Sequence, residues 1–386
     1  MKRMCNNQYA GMVLVSLMIL LIASPVPAIP PDPDNAALLY YQGFLTLAEL
    51  DEEARDRIGG VARGKIAPDD KVREDISKCG GAIQFAEAAA KVPTCHWGVR
   101  YSQGFDALMP QMAQMRYLTF VLIADARIRA ADGDYREALE RCLMTGTFAR
   151  HIGDDTFISY LVSISVRGLT YKCMQDVMGQ AAGDAELLQW LKNELATSDT
   201  VTVSPVRPLK IEIEIVNDLM RIENVEKFAR ILAASNGKKT AEIVRAADAE
   251  ILERARRVYA ERMNLALTVL STPMLYDQAH SQLKQLADFD QDDPVSRTAG
   301  AFSPALDKIL AQKTGIDTHA NAIRVAIEVL LSRGKARRLP DTLPSGLLKD
   351  AFSDKDFEYE KTEEGFVLRC PDKDLDVYRY EFKIKK

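Results

Sequence analysis

A mainly α-helical fold of irregular antiparallel hairpins, finished by a small three-stranded antiparallel sheet, follows from three features of this 386-residue chain. Apolar residues recur at helical spacing from residue 35 to residue 334. The breaks between periods carry the Gly, Asp and Pro residues that end and begin helices. From Phe357 onward the apolar period shortens to two, as in a half-buried strand.

Residues 1–28 have the anatomy of a secretory signal. Lys2 and Arg3 precede the apolar run "MVLVSLMILLIA", and Val26 and Ala28 are small residues placed for cleavage after Ala28. A run of that length rises only about 18 Å as a helix, against roughly 30 Å of hydrocarbon. The expectation is an exported chain, periplasmic or extracellular, without a stable membrane span after cleavage; the alternative is tethering by an uncleaved N-terminal segment. Cys5 precedes the apolar run and is misplaced for lipid attachment.

The remainder divides into a helical-hairpin region over 29–198, a second helical region over 199–334 and a β-rich module over 335–386. "NAALLYYQGFLTLAEL" begins the helices, with Leu38, Tyr41, Leu45 and Ala48 expected along the core face. "APDDKVREDISKCGGAIQFAEAAAK" follows, weakened or kinked at Gly80 and Gly81. Three strongly patterned segments come next, joined by the short links "DGD" and "GDD". Links so short force antiparallel neighbours, each Gly closing one helix and each Asp capping the next. In "GDYREALERCL", Tyr135 and Ala138 stand where tetratricopeptide-type hairpins interlock, although that period does not repeat.

"SDTVTVSPVRP" breaks helicity and marks a subdomain boundary. Two long helices are then expected on either side of "NGKK". "TPMLYDQAHSQLKQLAD" and "SPALDKILAQKTG" each open with a hydroxyl cap and a proline, and "DTHANAIRVAIEVLLSRG" runs to a terminal Gly. In the tail, Phe357 and Tyr359, then Phe366, Leu368 and Cys370, then Tyr378, Tyr380, Phe382 and Ile384 define three strand faces. Three strands need cover, which the apolar helix over 321–332 is expected to supply.

"CHWGVRYSQGFDALMPQMAQMR", "GDYREALERCL", "ARHIGDDTFISYLVSISVRGL" and "LPDTLPSGLLKDAFSDKDFEYEKTEEGFVLR" together resemble a family of uncharacterised exported helical proteins of planctomycete-type bacteria. That resemblance spans most of the chain after residue 28 and implies export and a helical body, with no activity to carry over. The tail separately resembles the globular end of type II secretion pseudopilins, with a Pro-rich turn, an aromatic strand pair and the acidic loop "CPDKDLD".

Net charge is −5, and removing Lys2 and Arg3 makes it more negative. That disfavours nucleic acid and anionic membrane surfaces, both of which are gripped by clustered Lys and Arg. Five cysteines follow the signal: Cys79, Cys95, Cys142, Cys173 and Cys370. Cys79 and Cys95 are close enough in sequence either to bridge or to stay apart as buried thiols. Cys142 and Cys173 are expected not to bridge, because in a hairpin turning near Gly153 they lie about 17 Å and about 30 Å from the turn. They are expected to be small buried packing residues.

"CHWGVRY" places Cys95, His96 and Trp97 in succession. A Cys–His nucleophile needs the base within hydrogen-bond reach of sulfur, which adjacent residues rarely achieve. The expectation is a structural loop, with Trp97 filling a pocket, Gly98 permitting a turn and Cys79 and Cys95 buried or bridged. "GGVARGKI" spaces Gly59, Gly64 and Lys65 as a phosphate loop does. Ile66 stands where a magnesium-binding hydroxyl belongs, however, and a solvated turn is expected.

In "DFDQDDP", Asp288, Asp290 and Asp292 alternate as in a calcium loop, but Asp293 replaces the glycine such a loop requires and Ala299 its closing Glu, so an acidic linker is expected. Asp372, Asp374 and Asp376 are the weak calcium candidates of the tail, calcium being the one cofactor the sequence raises. His96, His151, His280 and His319 are far apart, with no paired zinc spacing. His151 at a helix C-terminus is accounted for by the helix dipole, and no catalytic residue is assigned.

The leading functional expectation is a non-catalytic envelope protein that binds a protein or peptide partner through a groove between hairpins. The alternatives are an envelope hydrolase with a site assembled from distant residues, and a calcium-dependent assembly or adhesion subunit.

Overall fold

The chain is seen here as a computed structural model that describes residues 32–106, 109–198, 204–234, 237–371 and 378–384. The segment read as a signal lies outside the described residues. Among them no helix is long and apolar enough to cross a membrane.

Fifteen α-helices and one three-stranded sheet make up the described residues, so the fold is mainly α with a small antiparallel sheet at its C-terminal end. Helices α1 (Ala36–Leu45), α2 (Glu52–Ala62), α3 (Asp70–Lys78) and α4 (Gly80–Ala90) come first. The helix expected to kink at Gly80 instead breaks there, with Cys79 between its halves.

In α1 the expected core face is the wrong one. Ala36, Ala37, Tyr40 and Gly43 are buried, whereas Leu38 is 50% and Leu45 is 87% exposed. The reason is steric. α1 lies against α4 along its small residues, and a Cβ at Gly43 would come within 3.2 Å of the Phe85 Cβ. Close backbone approach there wins over the bulk of the leucines.

Helices α5 (Gln111–Asp132), α6 (Tyr135–Gly153), α7 (Phe157–Gln180) and α8 (Ala185–Ser198) build the central stack. Gly133 closes α5 in the left-handed region at φ 91°, as its place in "DGD" suggested. The start of α7 departs from expectation. Thr156, not an Asp of "GDD", caps it, through reciprocal hydrogen bonds with Ser159. Asp155 is thereby released to accept from the Tyr101 hydroxyl at 2.7 Å.

Beyond them stand α9 (Val206–Leu219), α10 (Val225–Ala234), α11 (Lys238–Ala246), α12 (Ala249–Ser271), α13 (Tyr276–Leu286), α14 (Pro294–Gly300) and α15 (Leu306–Ala336). The two long helices expected around "NGKK" are four. Asn224 donates to the Asp218 carbonyl at 2.9 Å across the first break, and Asp248 caps α12 by accepting from the Ile251 amide. Nor does the Thr272–Pro273 pair open α13, since Thr272 is the C-cap of α12. α15 runs unbroken through Gly315, where two helices were expected.

The sheet has the order β1 (Glu358–Thr362), β2 (Gly365–Arg369), β3 (Arg379–Lys383), and both of its pairings are antiparallel. Its closest helical support is α7 and the Gly315–His319 turn of α15, N-terminal to the expected stretch 321–332. Gln175 of α7 donates to the Glu381 carbonyl at 2.5 Å, and the Tyr380 hydroxyl donates to the Gly315 carbonyl at 3.3 Å. A Cβ at Gly179 would collide with the Lys383 carbonyl oxygen, and one at Gly315 with the Tyr378 ring. Two glycines on two helices thus form the notch that seats the last strand.

Substituting Gly179→Ala should cost about 1–3 kcal/mol, because the obstacle is backbone and cannot rotate away. Gly334→Ala, in open space within α15, should instead gain up to about 1 kcal/mol. Urea denaturation of the two variants checks the contrast. A Gly179→Ala protein as stable as the parent would rule out the notch.

The carboxylate of Asp350 fastens the approach to the sheet. It is fully buried and accepts from Thr318, the Ser353 amide and hydroxyl, the Phe352 amide and the Cys370 thiol. Buried charge is tolerable when so many donors converge on it.

The buried clusters do not follow chain order. The first joins residues of α1–α8, Trp97, the second half of α15 and the sheet residues Phe366, Leu368, Tyr380 and Phe382. A second holds Phe157 and Tyr160 of α7 together with α9, α12, α13 and the start of α15. Helices α7 and α15 therefore thread both, and residues Asn35–Lys386 form one compact unit.

Candidate functional site

The "CHWGVRY" segment is an anchor in the first core. Trp97 is buried, stacked on Tyr40 at 5.4 Å between centroids and on Phe44 at 6.1 Å, with the Tyr41 ring edge-on at 5.7 Å. Its indole donates to the His151 carbonyl at 2.7 Å, and its own carbonyl accepts from the Tyr41 hydroxyl at 2.9 Å. Asn35 binds both the amide and the carbonyl of His96, and Gly98 turns the chain at φ 70°. Burial, reinforced by the charge of Asp155, pushes the Cys95 thiol up to about 12. A thiol so held is protonated at neutral pH, the reverse of what a nucleophile needs.

His151 lies beneath this knot, 3.1 Å from the Tyr40 hydroxyl. Burial and the neighbouring Arg150 charge push it down to about 4. The helix-dipole account of His151 gives way to this one, because a neutral imidazole gains nothing from the C-terminal dipole.

Cys79, Cys95, Cys142, Cys173 and Cys370 are free thiols, so the bridge considered between Cys79 and Cys95 is not formed. Cys79 is buried, and burial raises its pKa. Cys142 and Cys173 are unbridged and fully buried, as expected, but the hairpin arithmetic that set them apart is corrected, because the two thiols are close enough to act on each other's protonation. The loop 154–156 moves the turn closer to Cys173, shrinking the offset to about 8 Å at 1.5 Å per residue. Side chains also lean toward their helix's N-terminus, so in an antiparallel pair these two thiols lean toward each other. The neighbouring Cys173 thiol and burial hold the Cys142 thiol well above its ordinary range.

Asp372, Asp374 and Asp376 lie outside the described residues. Among those described, no three His, Cys, Asp or Glu side chains are grouped to hold a metal. In "DFDQDDP" the carboxylates serve the backbone: Asp290 accepts from the Asp292 amide, and Asp293 caps α14 with Pro294 at its first position. In "GGVARGKI", Gly59 lies inside α2 and only the end of the motif is the expected turn, with Gly64 at φ 69°.

A wide concavity lies elsewhere, between the end of α1, the loop after it, α2 and the first half of α5. It measures about 1200 Å³. Phe44, Leu45, Leu47 and Leu50 form one wall, and Tyr117 and Phe120 line the α5 side. Three guanidinium groups stand over those rings. Arg55 is 5.4 Å from the Tyr117 centroid, while Arg63 and Arg116 are 4.6 Å and 5.7 Å from that of Phe120.

Gly59 leaves the space in which the Arg63 side chain folds back, for a Cβ there would come within 2.8 Å of its Nη1. None of the three arginines has a carboxylate partner among the described residues, whereas Arg57 on the same helix binds Asp75 and Glu53. Glu49, Asp51 and Asp56 also line the groove, but Asp51 is committed to capping α2. Such an arrangement offers flat apolar faces and bidentate donors side by side.

Sequence reasoning did not find this groove. The sequence placed "FLTLAEL" inside the first helix with Leu45 and Ala48 on its core face, whereas the helix ends at Leu45, which is largely exposed. No family model matches the chain, and neither does any curated protein or solved structure.

Proposed function

We propose that this is an exported, non-catalytic binding protein, and that the groove between α1, α2 and α5 holds an extended peptide segment of a partner. The observation that carries the reading is the row of arginines without carboxylate partners, laid on aromatic rings beside a wall that includes the exposed Leu45. Guanidinium groups on rings stay oriented, ready for carboxylates in the fork geometry that arginine favours. The apolar wall supplies the area that a short peptide must bury. The peptide class is therefore acidic and apolar together, with Asp or Glu side chains spaced among Leu or aromatic ones.

A peptide library displayed against the whole chain should enrich that class. Phe120→Ala and Arg116→Ala should each weaken the selected peptides at least about tenfold, which is about 1.4 kcal/mol. Arg254→Ala, on the exposed face of α12, should leave binding unchanged. Enrichment of no peptide class, or equal affinity in all three variants, would refute the groove.

A further inference from the structure

Cys142 of α6 and Cys173 of α7 meet across the hairpin that residues 154–156 close, and both are fully buried free thiols of the first core. The other described thiols stand apart. Burial raises Cys79 and Cys95 with no second thiol contributing, and Cys370 donates to Asp350 at 3.2 Å.

The pair also has a way in. A partly open space of about 80 Å³, where α6, α7, α8 and α15 meet, is lined by Cys142 and by Thr170 and Met174, which flank Cys173 in the chain. A water needs roughly 10–15 Å³ of such space, so it admits a few waters or a molecule of their size and is too small for a bulky reagent.

We propose that Cys142 and Cys173 are a site of covalent modification, a disulfide formed in the folded chain by hydrogen peroxide that enters through this space. Two thiols side by side lose a first proton more readily than one buried alone, because the remaining S–H faces the thiolate. That thiolate is favoured at Cys173, by the Cys142 thiol first and then by the charge of Arg127, against burial and the charge of Asp176.

One sulfur of the pair, as thiolate, attacks a peroxide oxygen. The O–O bond breaks, a sulfenic acid forms, and the hydroxide that leaves takes up the thiol's proton as water. The second sulfur then attacks the sulfenic sulfur, the S–O bond breaks, and the hydroxide leaves as water with the second thiol's proton. Two thiols have together lost two electrons, and one peroxide has become two waters. The new bond ties α6 to α7 and constrains the unfolded chain, which stabilises the fold. The site is separate from the peptide groove and does not depend on it.

The test uses the whole chain, purified with its thiols reduced. After hydrogen peroxide treatment, remaining thiols are alkylated in denaturant without reductant, and the peptides are mapped by mass. The expected result is the loss of alkylation at Cys142 and Cys173 and one linked peptide pair that contains both, with Cys79, Cys95 and Cys370 still alkylated. The linked chain should have a higher Tm, which dithiothreitol returns to its starting value. Cys142→Ser should show no such rise; should that variant fail to fold, mapping of the parent decides without it. Cumene hydroperoxide, too bulky for the space, should link the pair at least about tenfold more slowly. The proposal is overturned if peroxide leaves both thiols free or joins either to a different cysteine. It is overturned equally if the pair links only in urea, if linking leaves Tm unchanged, or if cumene hydroperoxide acts as fast.

Discussion

Replacing Trp97 with alanine is expected to lower folding stability by about 3–5 kcal/mol, the range for removing a large buried aromatic side chain. The loss has three parts. The cavity would open between Tyr40, Tyr41 and Phe44, whose rings pack on the indole. The His151 carbonyl would lose its donor, a cost of about 1–3 kcal/mol if it stays buried. The loop that Asn35 ties to the start of α1 would lose its anchor. Trp97→Phe separates these contributions, since it keeps a ring and removes only the hydrogen bond and part of the volume, so it should lose less than half as much. Chemical denaturation of both variants measures this. A Trp97→Ala protein within about 1 kcal/mol of the parent would show that the segment is peripheral to the core.

The second large effect is on acid stability. His151 and His319 are held neutral in the fold, pushed down to about 4 and about 3, mainly by burial. His319 faces Gln175, Tyr171 and Tyr380, with the Lys172 charge opposing its protonation and that of Asp176 favouring it. Around His151 the charged neighbour is Arg150, and the Pro93 backbone carbonyl, which accepts from the ring, acts the other way.

In the unfolded chain both histidines titrate near 6.5, so below that pH the unfolded state binds protons that the folded state refuses. Stability is therefore full above pH 6.5 and falls as the pH drops toward 4. The slope is roughly 1.4 kcal/mol per pH unit for each histidine, on the order of 4–5 kcal/mol for the pair over two units. Asp155 works in the opposite sense, since burial raises its pKa, and trims the loss at the acid end. Urea midpoints at pH 7.0, 6.0 and 5.0 read the slope, and His319→Gln should remove about half of it. A flat profile would mean that both rings accept protons in the folded state.

His319 also shows how much of the architecture could be read from the letters. Its imidazole lies 3.0 Å from the Gln175 side chain, which in turn donates to the Glu381 carbonyl, so one relay joins α15, α7 and β3. Nothing local announces such a relay, because its members are 144 and 206 positions apart. What is local was legible: the αL glycine at 133 and the period-two alternation of Tyr380 and Phe382.

Failures came where two surfaces choose each other. In α1 the apolar residues surround the helix, so periodicity could not say which side would face α4, and the close approach at Gly43 decided it. The thiols of Cys142 and Cys173 meet because of side-chain direction, which residue counting along the axis ignores. The groove escaped for the same reason. Arg63 and Phe120 are far apart in the chain and become neighbours only when α2 lies on α5.

The seating of β3 in the Gly179–Gly315 notch has a consequence for biosynthesis. Phe366 and Phe382 join the core that α7 and α15 also line, so the sides of those two helices that face β3 are covered only once residues 379–383 have been made. While the ribosome still holds residues 379–383, that part of α7 and α15 stays open to solvent and to chaperones. A nascent chain stalled before Arg379 should therefore be open to protease attack around Gly179 and Gly315.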